Sequence, residues 1–288
     1  MTMISYAQNG EDVVLDRVFP ADHIGFYVDV GASDPTVDSV TKHFYDRGWH
    51  GVNVEPAEGA LRALREARPR DINLGIGLAA SPGEQVFYEL PVQMTGCSTF
   101  SGKLAEEYRA GGWQLSSRTV QVITLAQLCE EHAAGETIDF LKIDVEGGEA
   151  DVLAGGDFEQ VRPRVVVVEA TVPGSRTPAH QAWEPELLQA RYSFVLFDGL
   201  NRFYVRQEEA ALGGLLASPA NVLDDYVSHR CDQWRRRAEA GEAQAARVPP
   251  LVTALEQTRG QLASSQAALR DARAELGAAR AALTDALR

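Results

Sequence analysis

Up to about residue 235, short runs of consecutive apolar residues alternate with stretches whose apolar positions recur every three or four residues. The runs predict strands over 25–31 (GFYVDVG), 51–55 (GVNVE), 72–79, 138–144 (IDFLKID), 164–170 (RVVVVEA), 192–198 and 202–206. The periodic stretches predict helices over 39–47, 57–68, 125–132, 149–153 and 185–190. Four successive valines, Val165 to Val168, suit a strand covered on both faces, and strands alternating with helices build an open α/β sheet of mostly parallel strands. Gly199, Leu200 and Asn201 alone separate the last two runs, which predicts a hairpin and an antiparallel C-terminal end to the sheet. A further strand pair, 85–90 and 119–123, flanks a loop insertion around Gly96, Cys97, Ser98, Thr99 and Phe100.

Near Ala238 the pattern changes to Ala, Arg, Glu, Gln and Leu, with Pro249 and Pro250 as a break. Leu255, Leu262, Leu269, Leu276 and Leu283 fall seven apart, and three positions after each stand Thr258, Ser265, Ala272, Ala279 and Ala286. Leucines alternating with small residues at heptad spacing form a coiled-coil seam. The chain therefore divides into an α/β domain over 1–235, a linker over 236–250 and a coiled-coil segment over 251–288. So thin an apolar stripe is weak on a lone solvated helix, and pairing with a second copy or a further module is expected. The heptads run to Arg288 without a cap or glycine, which reads as the stump of a longer rod.

The composition, 45% hydrophobic and 24% charged over 288 residues, provides one full core plus an appendage. A formal net charge of -14 would repel a phosphate backbone, so nucleic acid is not an expected partner. Cys97, Cys129 and Cys231 lie far apart without CxxC spacing, which argues against a disulfide framework or zinc ribbon and fits a reducing cytoplasm. The opening MTMISYAQNGEDVVLDRVF has no basic start or apolar h-region, and no run of about 18 apolar residues occurs. A soluble, cytoplasmic chain without signal peptide or transmembrane segment is expected.

Candidate chemistry gathers at the predicted strand ends, where open α/β sheets bind ligands. VDVGASDP at 28–35 brings Asp29, Gly31, Ala32 and Ser33 to the end of the first strand, with Gly31 allowing a tight turn against a ligand. The GxGxxG of a dinucleotide site is missing, which points to a cofactor without a pyrophosphate and away from an NAD-dependent sugar enzyme. Glu55 ends the second strand, where a carboxylate can accept hydrogen bonds from both hydroxyls of a ribose. Asp29 with Glu55 is the pattern expected of a fold that binds S-adenosylmethionine, a sulfonium with an ammonium group that an acidic pocket attracts.

KIDVEGGE at 142–149 puts Lys142 and Asp144 on one strand face and crowds Asp144, Glu146 and Glu149 around the turn Gly147-Gly148. Acids so crowded hold a cation or abstract a proton. Asp144 and Glu146 are candidate catalytic groups, and Asp144 with Glu169, at the end of the next strand, would suit magnesium as oxygen ligands. His180, in the loop 173–183 that follows Glu169, is the histidine placed to overhang the pocket as a third catalytic candidate. Trp183 and Tyr204 read more readily as core aromatics than as a platform for a sugar.

The segments SYAQNGED (5–12), GFYVDVGASDP (25–35), RGWHGVNVEP (47–56), RPRDINLGIGLA (68–79), ITLAQL (123–128), IDFLKIDVEGGE (138–149) and VVVVEAT (165–171) together resemble FkbM-family methyltransferases. AHQAWE (179–184) and FVLFDGLNRFYV (194–205) are similar to members encoded with polysaccharide-modifying enzymes. The resemblance covers roughly residues 4–217 and leaves the heptad tail outside. It implies a class I methyltransferase Rossmann-like sheet and transfer of a methyl group from S-adenosylmethionine to a hydroxyl, commonly of a sugar in a glycan, hence a carbohydrate acceptor. It further implies that Gln8, Glu11 and Asp12 close over the methionine end of the cofactor, and that Ser98 and Thr99 line the same pocket. Such a transfer needs a base for the acceptor proton or a cation that acidifies the hydroxyl, and Asp144 serves either device. A scaffold that only binds a glycan, with the coiled coil as its working part, is the alternative of a different class. The set Asp29, Gly31, Glu55 and Asp144 argues against it.

Overall fold

The computed structural model describes residues 2–91, 96–245 and 248–286. They form two compact units, 1–229 and 230–288. The strands of the first are β1 (Met3–Ser5), β2 (Phe26–Val30), β3 (His50–Val54), β4 (Ile72–Leu74), β5 (Gly77–Leu78), β6 (Gly83–Glu89), β7 (Ser116–Ile123), β8 (Ile138–Ile143), β9 (Val165–Glu169), β10 (Tyr192–Phe197), β11 (Asn201–Arg206) and β12 (Tyr226–Ser228). Its helices are α1 (Glu11–Asp16), α2 (Lys42–Asp46), α3 (Glu58–Ala67), α4 (Gly102–Ala110), α5 (Leu125–His132), α6 (Glu149–Ala154), α7 (Glu184–Gln189) and α8 (Gly213–Leu216).

A seven-stranded sheet in the order β10-β11-β9-β8-β2-β3-β4 forms the frame. β4, β3, β2, β8 and β9 run parallel, and the hairpin β10-β11 closes the sheet with antiparallel pairing, as the short connection requires. The mostly parallel α/β sheet expected from the apolar runs is therefore present. Alternate residues of each strand enter opposite cores. Val28, Val30, Val52, Val54, Leu141, Ile143, Val166 and Val168 pack on one face with Leu125 and Leu128 of α5 and Val152 and Leu153 of α6. Tyr27, Phe140, Val165, Val167, Phe203 and Val205 pack on the other with Val14 and Leu15 of α1 and Phe44 of α2. With both faces covered, the four valines of β9 are at most 1% exposed.

The run 72–79 predicts one strand, but the chain makes two. β4 stays at the sheet edge, while β5 joins β6 and β7 in a separate three-stranded sheet. The break falls at Gly75, where a Cβ would stand 2.6 Å from the Leu61 side chain of α3. The predicted pair 85–90 and 119–123 supplies β6 and β7 of this small sheet, in antiparallel register from Gly83↔Val122 to Glu89↔Ser116. Local chemistry sets several boundaries. Thr124 and Gln127 form a reciprocal capping box that starts α5. Arg68, fully buried, donates to the Pro35 carbonyl at 2.6 Å and to Ser39 Oγ at 3.0 Å, which pins the loop after β2.

The second unit is helical, with α9 (His229–Ala245) and α10 (Val248–Ala286). The segment expected as a linker, 236–250, is helical wherever it is described. Leu255, Leu262, Leu269 and Leu276 are each more than half exposed on α10. The side chains of Ala279, Leu283 and Ala286 lie outside the described ones, and Arg288 outside the described residues. Among the described residues no helix is long and apolar enough to cross a membrane. Cys97, Cys129 and Cys231 are free thiols.

Candidate functional site

The chain runs from β2 outward to β4 on one side and returns to β8 on the other, so the sheet order reverses between β2 and β8. Adjacent loops diverge there and leave a crevice at the carboxyl ends of the strands. The crevice holds about 650 Å³ of empty space, its open mouth included. Gly31, Ser33, Glu55, Asp144 and Glu146 supply its polar wall; Ile76, Leu78, Phe87 and Phe100 supply an apolar one.

Gly31 makes the floor possible. Its φ is 81°, and a Cβ there would lie 1.8 Å from the Asp144 carbonyl oxygen. The ladder continues past the strands, with Gly31 N–H donating to Val54 O at 3.0 Å and Asp144 N–H to Val30 O at 3.0 Å. Beneath the floor, Lys142 Nζ donates to the Gly31 carbonyl at 2.8 Å and pairs with Asp29 at 3.3 Å and Asp144 at 3.6 Å. Burial alone would lower the lysine, but Asp29 and Asp144 hold it well above its ordinary range.

Glu55 is 6% exposed and accepts two backbone N–H groups, from Ser33 at 2.8 Å and Ala57 at 2.7 Å. A carboxylate has about four lone-pair sites, so each oxygen keeps one for a ligand hydroxyl. Burial pushes Glu55 up to about 7 despite these donors. Glu146 sits at φ 54° with its carbonyl accepting from Thr99 Oγ1 at 2.8 Å. Burial, then Asp144 and Glu149, raise it to about 8. Non-glycine residues rarely adopt this conformation, and here two of them, Ser33 and Glu146, stand on the same crevice. Glu169, at the end of β9, is raised to about 9 by burial and by Asp144, Glu146 and Glu149.

Of the residues singled out in the sequence, Gly31, Ser33, Glu55, Asp144 and Glu146 come together around the crevice, with Ser98 beside them. Asp29 does not line it: 1% exposed, it lies under the floor and accepts from Thr41 Oγ1 at 3.2 Å. Ala32 is packed, its N–H bonded to Val54 O at 3.2 Å. Thr99 braces the turn at Glu146 rather than lining the space. Gln8 is exposed and away from the crevice. Asp12 is fully buried and accepts from Ser5 Oγ at 2.7 Å and Tyr6 N–H at 2.7 Å, while Glu11 accepts from Asn201 at 2.7 Å. The opening motif thus clamps the N-terminal segment, and its carboxylates are committed to that task.

His180 is also placed elsewhere. It stands 3.9 Å from Glu184, which is bonded to Arg202 at 2.8 Å and to the Tyr204 hydroxyl at 2.9 Å. Burial and the Arg202 charge lower its pKa. Trp183 and Tyr204 are core residues, 2% and 0% exposed, with ring centres 5.9 Å apart. Across the turn 147–149 a second cavity is lined by Ser101, Lys103, Glu107, Glu149, Thr171 and Trp183 among others. The apolar wall from Phe87 and Phe100 was not legible as pocket, because it comes from the small sheet and its insertion, whose docking is a tertiary event. Phe100 inside the flagged insertion was the available signal.

The magnesium expectation at Asp144 and Glu169 finds no support. Among the described residues no group of three or more His, Cys, Asp or Glu is arranged to hold a metal ion. Asp144 is already paired with the Lys142 ammonium at 3.6 Å.

The crowded carboxyls set a stability profile. Glu11 and Glu55 near 7, Glu146 near 8 and Glu169 near 9 bind protons in the folded chain that the unfolded chain releases above about 4.5. Their contribution is complete below pH 4.5 and is lost as pH rises through 7 to 9. Asp16, Glu209 and Asp224, lowered by arginine or histidine partners, oppose this only in acid. The ligand-free protein is therefore expected to melt about 5 °C or more lower at pH 9 than at pH 5.5. A melting temperature that is flat or rises over this range would contradict the burial of these acids.

The model of the Methyltransferase FkbM domain matches residues 29–194, from Asp29 in β2 to Phe194 in β10. No curated protein matches the chain. A similar solved structure is the crystal structure of methyltransferase FkbM from Methylobacillus flagellatus KT, at 15% sequence identity and a TM-score of 0.37, covering 64% of this chain and 44% of that one. The chain thus spans less than half the length of that protein. The family match takes in Gly31, Glu55, Asp144, Glu146 and Glu169 and more than half of all residues: the chain belongs to the family of FkbM methyltransferase domains.

Proposed function

We propose that the chain is an S-adenosylmethionine-dependent O-methyltransferase acting on a hydroxyl of a sugar in a glycan or polysaccharide. The observation that carries this reading is the placement of Glu55 and Asp144 on one crevice with the tight Gly31 turn between them. When bound, the cofactor supplies a methyl group made electrophilic by a sulfonium. Glu55 takes the ribose hydroxyls with the lone pairs left free by Ser33 and Ala57. Phe87, Phe100, Ile76 and Leu78 form the apolar wall that would hold the cofactor's flat base and exclude water. Asp144 draws the cationic end toward the carboxyl end of β8.

Asp144 then receives the proton of the acceptor hydroxyl, with Lys142 orienting it from below. A sugar hydroxyl is a weak nucleophile at neutral pH, and a positioned base addresses that weakness. The second cavity, across the turn that carries Glu146, offers space for an acceptor, with Ser101, Lys103, Glu107 and Thr171 as hydrogen-bonding groups on a mainly apolar wall. Glu55→Gln tests the cofactor half. It is expected to raise the Kd for S-adenosylmethionine about tenfold or more in calorimetric titration, because one charged acceptor is lost. Unchanged affinity in a folded variant would remove Glu55 from the ribose.

For the tail, the exposed stripe Leu255, Leu262, Leu269 and Leu276 supports pairing of α10 with a second copy. Replacing Leu262 and Leu269 by Lys is expected to lower the mass seen by light scattering toward the single chain of 31.3 kDa. An unchanged mass would exclude this seam as the assembly contact.

A further inference from the structure

The carboxyl end of β9 carries a group that the reading above leaves unused. β8 and β9 are parallel neighbours, with Lys142↔Val167 and Ile143↔Val168 in register. One step further this register sets Asp144 beside Glu169, at the spacing of adjacent strands, about 4.8 Å. Phe140, Val165 and Val167 share one core, so alternation turns Asp144 and Glu169 to the same sheet face. Glu169 is 8% exposed, and its Oε2 has no hydrogen-bond partner. On the far side its strand neighbour is Asn201, whose amide is taken by Glu11.

The groups that face Glu169 are mostly of its own sign or neutral. Asp144 follows β8, Glu146 and Glu149 lie on the turn into α6, and Cys97 and Tyr108 border the cluster from the insertion and α4. Lys142 is the cation acting on it, and that ammonium is already held by Gly31 O, Asp29 and Asp144. A buried acid without a partner is costly in its charged form unless a further cation arrives. The crevice lined by Asp144 and Glu146 is where a cationic ligand would arrive.

We propose that Glu169 exchanges a proton for the positive charge of the cofactor, losing it when S-adenosylmethionine binds and regaining one through Asp144 when the methyl group is transferred. The inference rests on the methyltransferase reading above. In the transfer the acceptor oxygen forms a bond to the methyl carbon, the sulfur–methyl bond breaks, and its electron pair stays on the sulfur. The hydroxyl proton passes to Asp144 and on to Glu169. The sulfonium charge vanishes as the proton arrives, so the net charge of the pocket is the same before and after. The proton released over the whole reaction leaves at the binding step.

The test is calorimetric titration of the full chain with S-adenosylmethionine and with S-adenosylhomocysteine, each in phosphate and in Tris at pH 7.5. Binding of the sulfonium is expected to release close to one proton, and binding of the uncharged thioether close to none. Without any variant, the affinity ratio of the two ligands is expected to rise up to about tenfold per pH unit from pH 7 until Glu169 titrates near 9. Glu169→Gln, isosteric with the protonated acid, is expected to bind both ligands with no proton release and a flat ratio. Equal proton release for the two ligands, or release that persists in Glu169→Gln and disappears in Glu146→Gln, would overturn the assignment to Glu169. Binding of neither ligand would overturn the underlying reading instead, and this proposal with it.

Discussion

Asp144→Asn is expected to lower kcat by about 100-fold or more while the Kd for S-adenosylmethionine shifts by less than about tenfold. The amide keeps the size and the hydrogen-bonding reach of the side chain but accepts no proton. Asp144 is a carboxylate on the crevice wall that also touches Lys142, at 3.6 Å, so it is held in place before an acceptor enters. Asp29 and the Gly31 carbonyl keep the lysine engaged in the variant, which limits the structural damage. A general base contributes on the order of 10²–10⁴ to rate. Loss confined to kcat would place Asp144 in the transition state; a large loss of cofactor affinity with full turnover at saturation would make it a binding residue only.

Gly31→Ala is expected to be the most damaging single-methyl change in the chain. The added Cβ would meet the Asp144 carbonyl oxygen at 1.8 Å, and both partners are backbone held by the ladder. The φ of 81° adds a conformational penalty of about 1–2 kcal/mol for an L-residue. Relief requires β2 and β8 to separate at the point where the crevice forms. A fall in Tm of more than about 10 °C, with cofactor binding lost, is expected. Gly59→Ala serves as the contrast. It lies in α3 with nothing within 4 Å of the added methyl, and alanine there is expected to stabilise by about 0.5–1 kcal/mol. A Gly31→Ala protein that melts within 2 °C of the parent would mean that the two strands do not meet as described.

The sheet was legible because its strands are buried on both faces and read as apolar runs, Val165 to Val168 most plainly. The hairpin followed from the short connection at Gly199. The crevice residues Gly31, Glu55, Asp144 and Glu146 were legible because strand ends with a glycine turn and crowded acids are locally unusual. Asp29, Asp12 and His180 do not line the crevice, which the sequence does not show: it reports the type of a polar side chain but not its partners. Asp29 is claimed by Lys142 and Thr41, Asp12 by Ser5 and Tyr6, and His180 stands beside Glu184. The Lys142–Asp29 pair joins residues more than a hundred positions apart, and no local pattern records it. The two-strand outcome of 72–79 and the small sheet over the crevice depend likewise on the packing of Leu61 and Phe100.

The most direct test of the central claim is calorimetric titration of the purified chain with S-adenosylmethionine and S-adenosylhomocysteine, with NAD as control. The account predicts micromolar binding of the first two and none of NAD, because the acidic crevice attracts a sulfonium and the sequence lacks the GxGxxG of a pyrophosphate site. A folded sample that binds neither S-adenosyl compound would contradict it.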